Sequence, residues 1–270
     1  ESAAIVGERK MTSVGGRLMK VTVRWLAVAG FSFVTLAHAQ EIVTLSTRSG
    51  VTQSYFLAGV PKKPQAIAVL FPGSGGLIRL RTENEQIKFG MGNFLVRSRS
   101  EFTKRGVVAA LIDAPLDQQS GWGMMDEFRF SEQHSTDISA VVADLNRRFP
   151  GLPLFLVGTS RGSISAAVLA ARFGQSLAGS VLTSSMFRQT GRNSREPGPG
   201  LSRFDFTTIK IPLLFVHHVS DQCETTPYGD AQRISDKHPL ISVLGRPASE
   251  IGPLRGVQPA WLLRQGVRDR

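Results

Sequence analysis

Leu154-Phe155-Leu156-Val157-Gly158-Thr159-Ser160-Arg161-Gly162 decides the fold of this chain. The first four residues form a short continuous apolar run, the composition of a strand buried on both faces. A Gly-x-Ser-x-Gly pentapeptide follows at once. Beyond it, Ser163 to Phe173 is rich in alanine, and Ile164, Ala167, Val168 and Ala171 recur at helical spacing. Gly174 suits the C-cap of that helix. The order predicts a sharp strand-to-helix turn with Ser160 at its tip. A side chain at either glycine would collide with the neighbouring strand or helix. The serine hydroxyl would then stand at the sheet edge, beside the positive end of a helix.

Outward from this turn, the chain divides into three parts: 1–39, 40–245 and 246–270. In the first, Lys20 and Arg24 precede an apolar run from Trp25 to Leu36, and Ala37-His38-Ala39 is a small-x-small cleavage site. This is the pattern of a secretory signal over 19–39, too short for a comfortable membrane span. Met19 or Met11 offers a start. An exported protein beginning near Gln40 is expected, periplasmic or secreted, with no stable membrane span once the signal is cleaved. The leader holds five basic and two acidic residues, so its loss lowers the formal charge from +11 to +8. The remaining positive charge is scattered, without lysine runs or interleaved aromatics, which argues against a nucleic-acid partner. Cys223 is the one cysteine and can form no intramolecular disulfide. It is either a small buried hydrophobe or a residue whose partner is missing. No ligand spacing suggests a metal, and nothing implies a cofactor.

Residues 40–245 alternate between strand and helix patterns. Ile42–Ser46 and Thr52–Leu57 predict a hairpin around Ser49-Gly50. Ala66–Phe71, Val107–Ile112, Leu154–Val157, Ala178–Thr183, Ile211–Val216 and Leu240–Leu244 predict buried strands. Helices are expected near Ser98–Lys104, after a cap at Ser135 or Thr136, over Ser163–Phe173 and near Pro227–Ser235. Residues 186–207 predict a loop or a small cap. The alternation implies an α/β fold whose central sheet is mainly parallel, about seven or eight strands with helices on both faces. Ligands in such sheets bind at the carboxyl ends of the strands. Three segments lie at such ends: the serine turn, the loop Pro72-Gly73-Ser74-Gly75-Gly76, and His217-His218-Val219-Ser220-Asp221.

Over roughly residues 42–245 the chain resembles the α/β-hydrolase family. The pentapeptide matches the family's nucleophile elbow, and Phe71-Pro72-Gly73-Ser74-Gly75-Gly76 resembles its His-Gly-Gly-Gly-type oxyanion loop, with Pro72 where a histidine is often found. A phosphate-binding loop would need a Gly-Lys-Ser/Thr ending, which is absent. The resemblance implies Ser160 as nucleophile and the Arg161 and Ser74 amides as oxyanion donors. It further implies Asp221 as the acid that orients a histidine base. Glu224 and Asp230 are weaker acid candidates. The implied partner is a small-molecule acyl substrate.

One element of the resemblance fails. The family's base lies in a loop after the last strand, here after Leu244, yet no histidine follows His238. His134 is a weak candidate for the missing base. His217 and His218 border the proposed acid, and His238 precedes the last strand, at the opposite rim. From about Gly245 onward the sequence departs from the family and becomes arginine-rich (Arg255, Arg264, Arg268, Arg270), as a truncation or a reading-frame change would produce. Two functions are therefore carried forward. One is an exported serine hydrolase, impaired by the missing histidine. The other is a non-catalytic binding protein on the same fold. Trp122, Met124, Met125, Phe128, Met186 and Phe187 either line an acyl pocket or fill the core. Arg188 and Arg192 either hold a charged substrate group or are solvated.

Overall fold

The computed structural model describes residues 40–189 and 198–245. The expected signal segment, the arginine-rich tail and Arg192 lie outside the described residues. Ten strands and five helices run in the order β1 (Glu41–Arg48), β2 (Val51–Leu57), β3 (Ala66–Phe71), β4 (Arg81–Glu83), β5 (Gln86–Lys88), α1 (Phe94–Lys104), β6 (Val107–Ile112), α2 (Asp126–Phe130), α3 (Glu132–Arg148), β7 (Leu154–Ser160), α4 (Gly162–Phe173), β8 (Gly179–Ser185), β9 (Leu213–His218), α5 (Tyr228–Ile234) and β10 (Leu240–Val243). Eight strands form one sheet in the order β1-β2-β6-β3-β7-β8-β9-β10. The β1–β2 hairpin and the β2–β6 pair are antiparallel. Every pairing from β6 to β10 is parallel. This is the mainly parallel α/β sheet expected from the sequence.

Side-chain alternation along the strands builds a core on each face. Ile67, Val69 and Phe71 of β3 pack on one side with Ile138, Val141 and Leu145 of α3 and Ile164, Ala167 and Val168 of α4. Ala68 and Leu70 face the other side, against Leu95 and Val96 of α1. Each strand of such a sheet must be apolar on both faces, which is why these strands read as unbroken hydrophobic runs. The chain passes from β3 to β6 on one side, then returns to β7 on the other. The switch point therefore falls between β3 and β7, the place at which sheets of this kind bind ligands outside the strands' carboxyl ends.

Several boundaries differ from expectation, two of them because of a cap. Helix α1 begins at Phe94, four residues early, because the Asn93 side chain accepts from the Leu95 N–H at 3.0 Å. Helix α3 begins at Glu132, capped by Ser131 through the His134 N–H at 3.2 Å, rather than by Ser135 or Thr136. The polar stretch after the glycine loop folds into the β4–β5 hairpin, whose turn residues Asn84 and Glu85 take φ of 49° and 61°. Strand β9 continues through His218, so both adjacent histidines belong to its end.

Candidate active site

Ser160 ends β7 with φ of 51°, a left-handed conformation that costs on the order of 1–3 kcal/mol for a side chain other than glycine. Two close approaches impose it. A Cβ on Gly158 would overlap the Gly162 carbonyl, and one on Gly162 would overlap the carbonyl of Phe71 in β3. The two glycines thus let α4 leave the sheet at once, against β3. Among the described residues, the Ser160 hydroxyl accepts and donates no hydrogen bond.

The glycine loop after β3 comes up against this serine. A Cβ placed on Gly73 would lie 3.1 Å from the Ser160 Cβ. The loop closes on itself through the Gly76 N–H to the Gly73 carbonyl at 3.1 Å, with Ser74 at φ 49° and Gly76 at φ 68°. Neither of these places admits an ordinary extended residue. Alongside runs Trp122-Gly123-Met124, so tightly that a Cβ on Gly75 would overlap the Trp122 carbonyl. The Met124 N–H donates to the Gly75 carbonyl at 2.8 Å. The Ser74 N–H has no acceptor among the described residues. The Arg161 amide heads α4 beside the serine. The two proposed oxyanion donors therefore stand on the two segments that meet at Ser160.

Arg129 holds this arrangement from below. It is fully buried, and its guanidinium donates to the carbonyls of Met124 (2.9 Å), Pro72 (3.4 Å) and Ser74 (3.0 Å) and to the Ser165 hydroxyl (2.7 Å). A single rigid fork thus joins the glycine loop, the segment beside it and α4. The Arg161 side chain is also buried and is ion-paired with Asp126, whose other oxygen accepts from the Gly200 N–H at 2.8 Å. No sequence pattern flagged Arg129 or Asp126. An arginine in a polar stretch reads as surface until its carbonyl partners are seen.

Asp221 lies past β9, in a loop that joins the same rim. Its Oδ1 accepts from the Cys223 N–H and its Oδ2 from the Thr226 hydroxyl, both at 3.0 Å. The carboxylate is held in one orientation. Of the weaker acids, Asp230 is occupied by Arg188 and Arg233, which also places Arg188 in a protein ion pair. Glu224 is exposed. Cys223 is exposed as well, not the buried hydrophobe considered above.

The histidines do not reach Ser160 by any described hydrogen bond. His134, the weak candidate for the base, is seated under α4 rather than at the rim. It is fully buried, with Nε2 and the Ser165 hydroxyl 2.9 Å apart. Burial, with the charges of Arg129, Arg172 and Arg48, holds its imidazole well below the ordinary histidine value. His217 is also buried and accepts the Ser185 N–H on Nε2 at 2.7 Å, which puts the ring proton on Nδ1. Burial pulls it down to about 4, against the opposing charges of Asp221 and Asp230. His238 packs on Phe206 and Phe215 just before β10. Of the six apolar candidates, Met124, Met186 and Phe187 are core, whereas Trp122 is exposed beside the glycine loop.

Comparison with known proteins agrees with this fold. The sequence model of a family described as serine aminopeptidase, S33, matches residues 104–237, a span containing both Ser160 and Asp221. A serine hydrolase without a lid from Xanthomonas campestris superposes with a TM-score of 0.51 at 16% identity, over 76% of this chain and 84% of that one. Est1E of Butyrivibrio proteoclasticus with bound ferulic acid gives 0.53 at 16% identity, over 75% and 89%. A serine hydrolase homologue from Coxiella burnetii gives 0.50 at 14% identity, over 76% and 86%. No curated protein sequence matches significantly. Fold, turn and family match together place this chain in the α/β-hydrolase family.

Proposed function

We propose that this chain is an exported serine hydrolase of ester or related acyl bonds, working through Ser160 and slowed by the want of an assigned base. The observation that carries the proposal is the strained serine facing a glycine loop across the switch point. Ser160 Oγ would bond to the acyl carbon while the carbonyl electron pair moves onto oxygen, within reach of the Ser74 and Arg161 amides. Collapse of that intermediate would expel the leaving group, and water would then release the acyl chain. The serine proton needs an acceptor for the first step. The oriented Asp221 carboxylate suits a histidine partner, but the sequence holds none beyond His238. Loss of such a member costs several orders of magnitude in rate in comparable triads. The signal pattern over 19–39 supports export.

A fluorophosphonate probe tests the nucleophile directly. The Ser160 Oγ–P bond forms as the P–F bond breaks, fluoride leaves, and the serine proton passes to water. Slow labelling, absent in Ser160→Ala, is expected. A folded protein that is never labelled would favour the second reading, a non-catalytic binding protein, for which the hydroxyl without a described partner speaks.

A further inference from the structure

Asn93 caps α1, and the cap fixes which way its amide points. Oδ1 accepts from the Leu95 N–H at 3.0 Å. Exchanging the two ends would set an NH2 group against an N–H, so Nδ2 is committed to the other side. On that side lies the serine. A methyl group placed on Gly73 would be 3.2 Å from Asn93 Nδ2 and 3.1 Å from the Ser160 Cβ. The amide and the nucleophile therefore flank one point, separated by a residue that has no side chain. Among the described residues, no acceptor is paired with the Nδ2 protons. The amide is half-buried, where a lost hydrogen bond to water must be replaced.

On the reading of Ser160 as nucleophile, we propose that Asn93 is a catalytic residue of this site. Its Nδ2–H donates to the oxygen of an acyl substrate as that oxygen gains charge beside Ser160. It is a side-chain donor additional to the two backbone amides. The helix cap preorganises it, so its donor is in place before charge develops. The absence of a side chain at Gly73 acquires a second reason, because any larger residue would screen the amide from the serine.

The test separates donor from cap. Asn93→Ser keeps an oxygen that caps α1 but removes the donor. Asn93→Asp keeps the cap and puts a carboxylate where charge develops. The second-order rate of fluorophosphonate labelling is measured for each, with the urea midpoint as a control for folding. Rates falling about 10- to 100-fold for the serine variant, and further for the aspartate variant, at wild-type midpoints, are expected. With a slowly turned-over aryl ester, the loss should appear in kcat more than in KM. Equal rates in all three proteins would overturn the proposal and leave the serine-hydrolase reading intact. A wild-type protein that is folded but never labelled would overturn both.

Discussion

Replacing Arg129 by methionine keeps much of the side-chain volume and removes every guanidinium donor. At least three carbonyls, of Pro72, Ser74 and Met124, and the Ser165 hydroxyl then lose a partner inside the protein. An unsatisfied buried polar group costs about 1–3 kcal/mol. The carbonyls are clustered, so one rearrangement can relieve several, and the total should fall near 4 kcal/mol rather than at the full sum. At a urea slope of about 2–3 kcal/mol per molar for a domain of this size, the midpoint should drop by roughly 1.3–2 M. The functional effect is separate. Pro72 and Ser74 bracket the loop that meets Ser160, and a displacement of about 1 Å there should slow fluorophosphonate labelling by about 100-fold. Arg129→Lys retains the charge but not the fork, and should lie between the two proteins in both measurements. Labelling is followed at a urea concentration well below either transition, so unfolding does not contribute. A methionine variant that unfolds at the wild-type midpoint and reacts at the wild-type rate would show that Arg129 merely fills space.

The strain at Ser160 predicts an inverse relation between stability and reactivity. Ser160→Gly should raise stability by about 1 kcal/mol over Ser160→Ala, which keeps the positive φ, while neither variant is labelled; paired urea titrations check this. Gly162→Ala should fail to accumulate as folded protein, or lose at least about 3 kcal/mol, because its methyl would occupy the Phe71 carbonyl, as soluble yield and circular dichroism would report. Acid should act through His217. Its folded value of about 4 lies below the unfolded value, so as pH falls from about 6.5 the unfolded chain takes up a proton that the native ring refuses until about pH 4. Stability is therefore lost on acidification across that window, by roughly 3 kcal/mol at its lower end. His217→Gln, which can still accept from the Ser185 N–H, should lose correspondingly less between pH 7 and pH 4. An identical loss in both proteins would refute the assignment. His134 is displaced in the same direction and adds to the wild-type slope.

How far the sequence foretells this site depends on whether a residue's role is local or assembled. The elbow was legible because its requirements are written within twenty consecutive residues, 154–173: an apolar strand, two glycines where backbones nearly touch, and an alanine-rich helix. The parallel sheet was legible for a similar reason, since burial on both faces leaves unbroken apolar runs such as Ala66–Phe71. Helix starts were less so. Asn93 is a good cap residue ahead of Phe94 and Leu95, and an N-cap search would have found it. Its nearness to Ser160, however, exists only after β3 and β7 pair and Gly73 closes the gap. Arg129 gives no signal at all. The partners that tie it to Ser74, Pro72 and α4 are backbone carbonyls 55 and 57 positions away together with a serine 36 positions on, and backbone atoms carry no sequence identity. This asymmetry bears on how such a site is assembled. The backbone geometry of Ser160 is set by its turn and one approach to β3, whereas the surface that would stabilise charge is assembled from β3, α1, α2 and α4. Mutations at the turn should therefore remove reaction outright. Changes at Arg129 or Asn93 should leave Ser160 in place and reduce only its rate, a separation that labelling kinetics on folded variants can resolve.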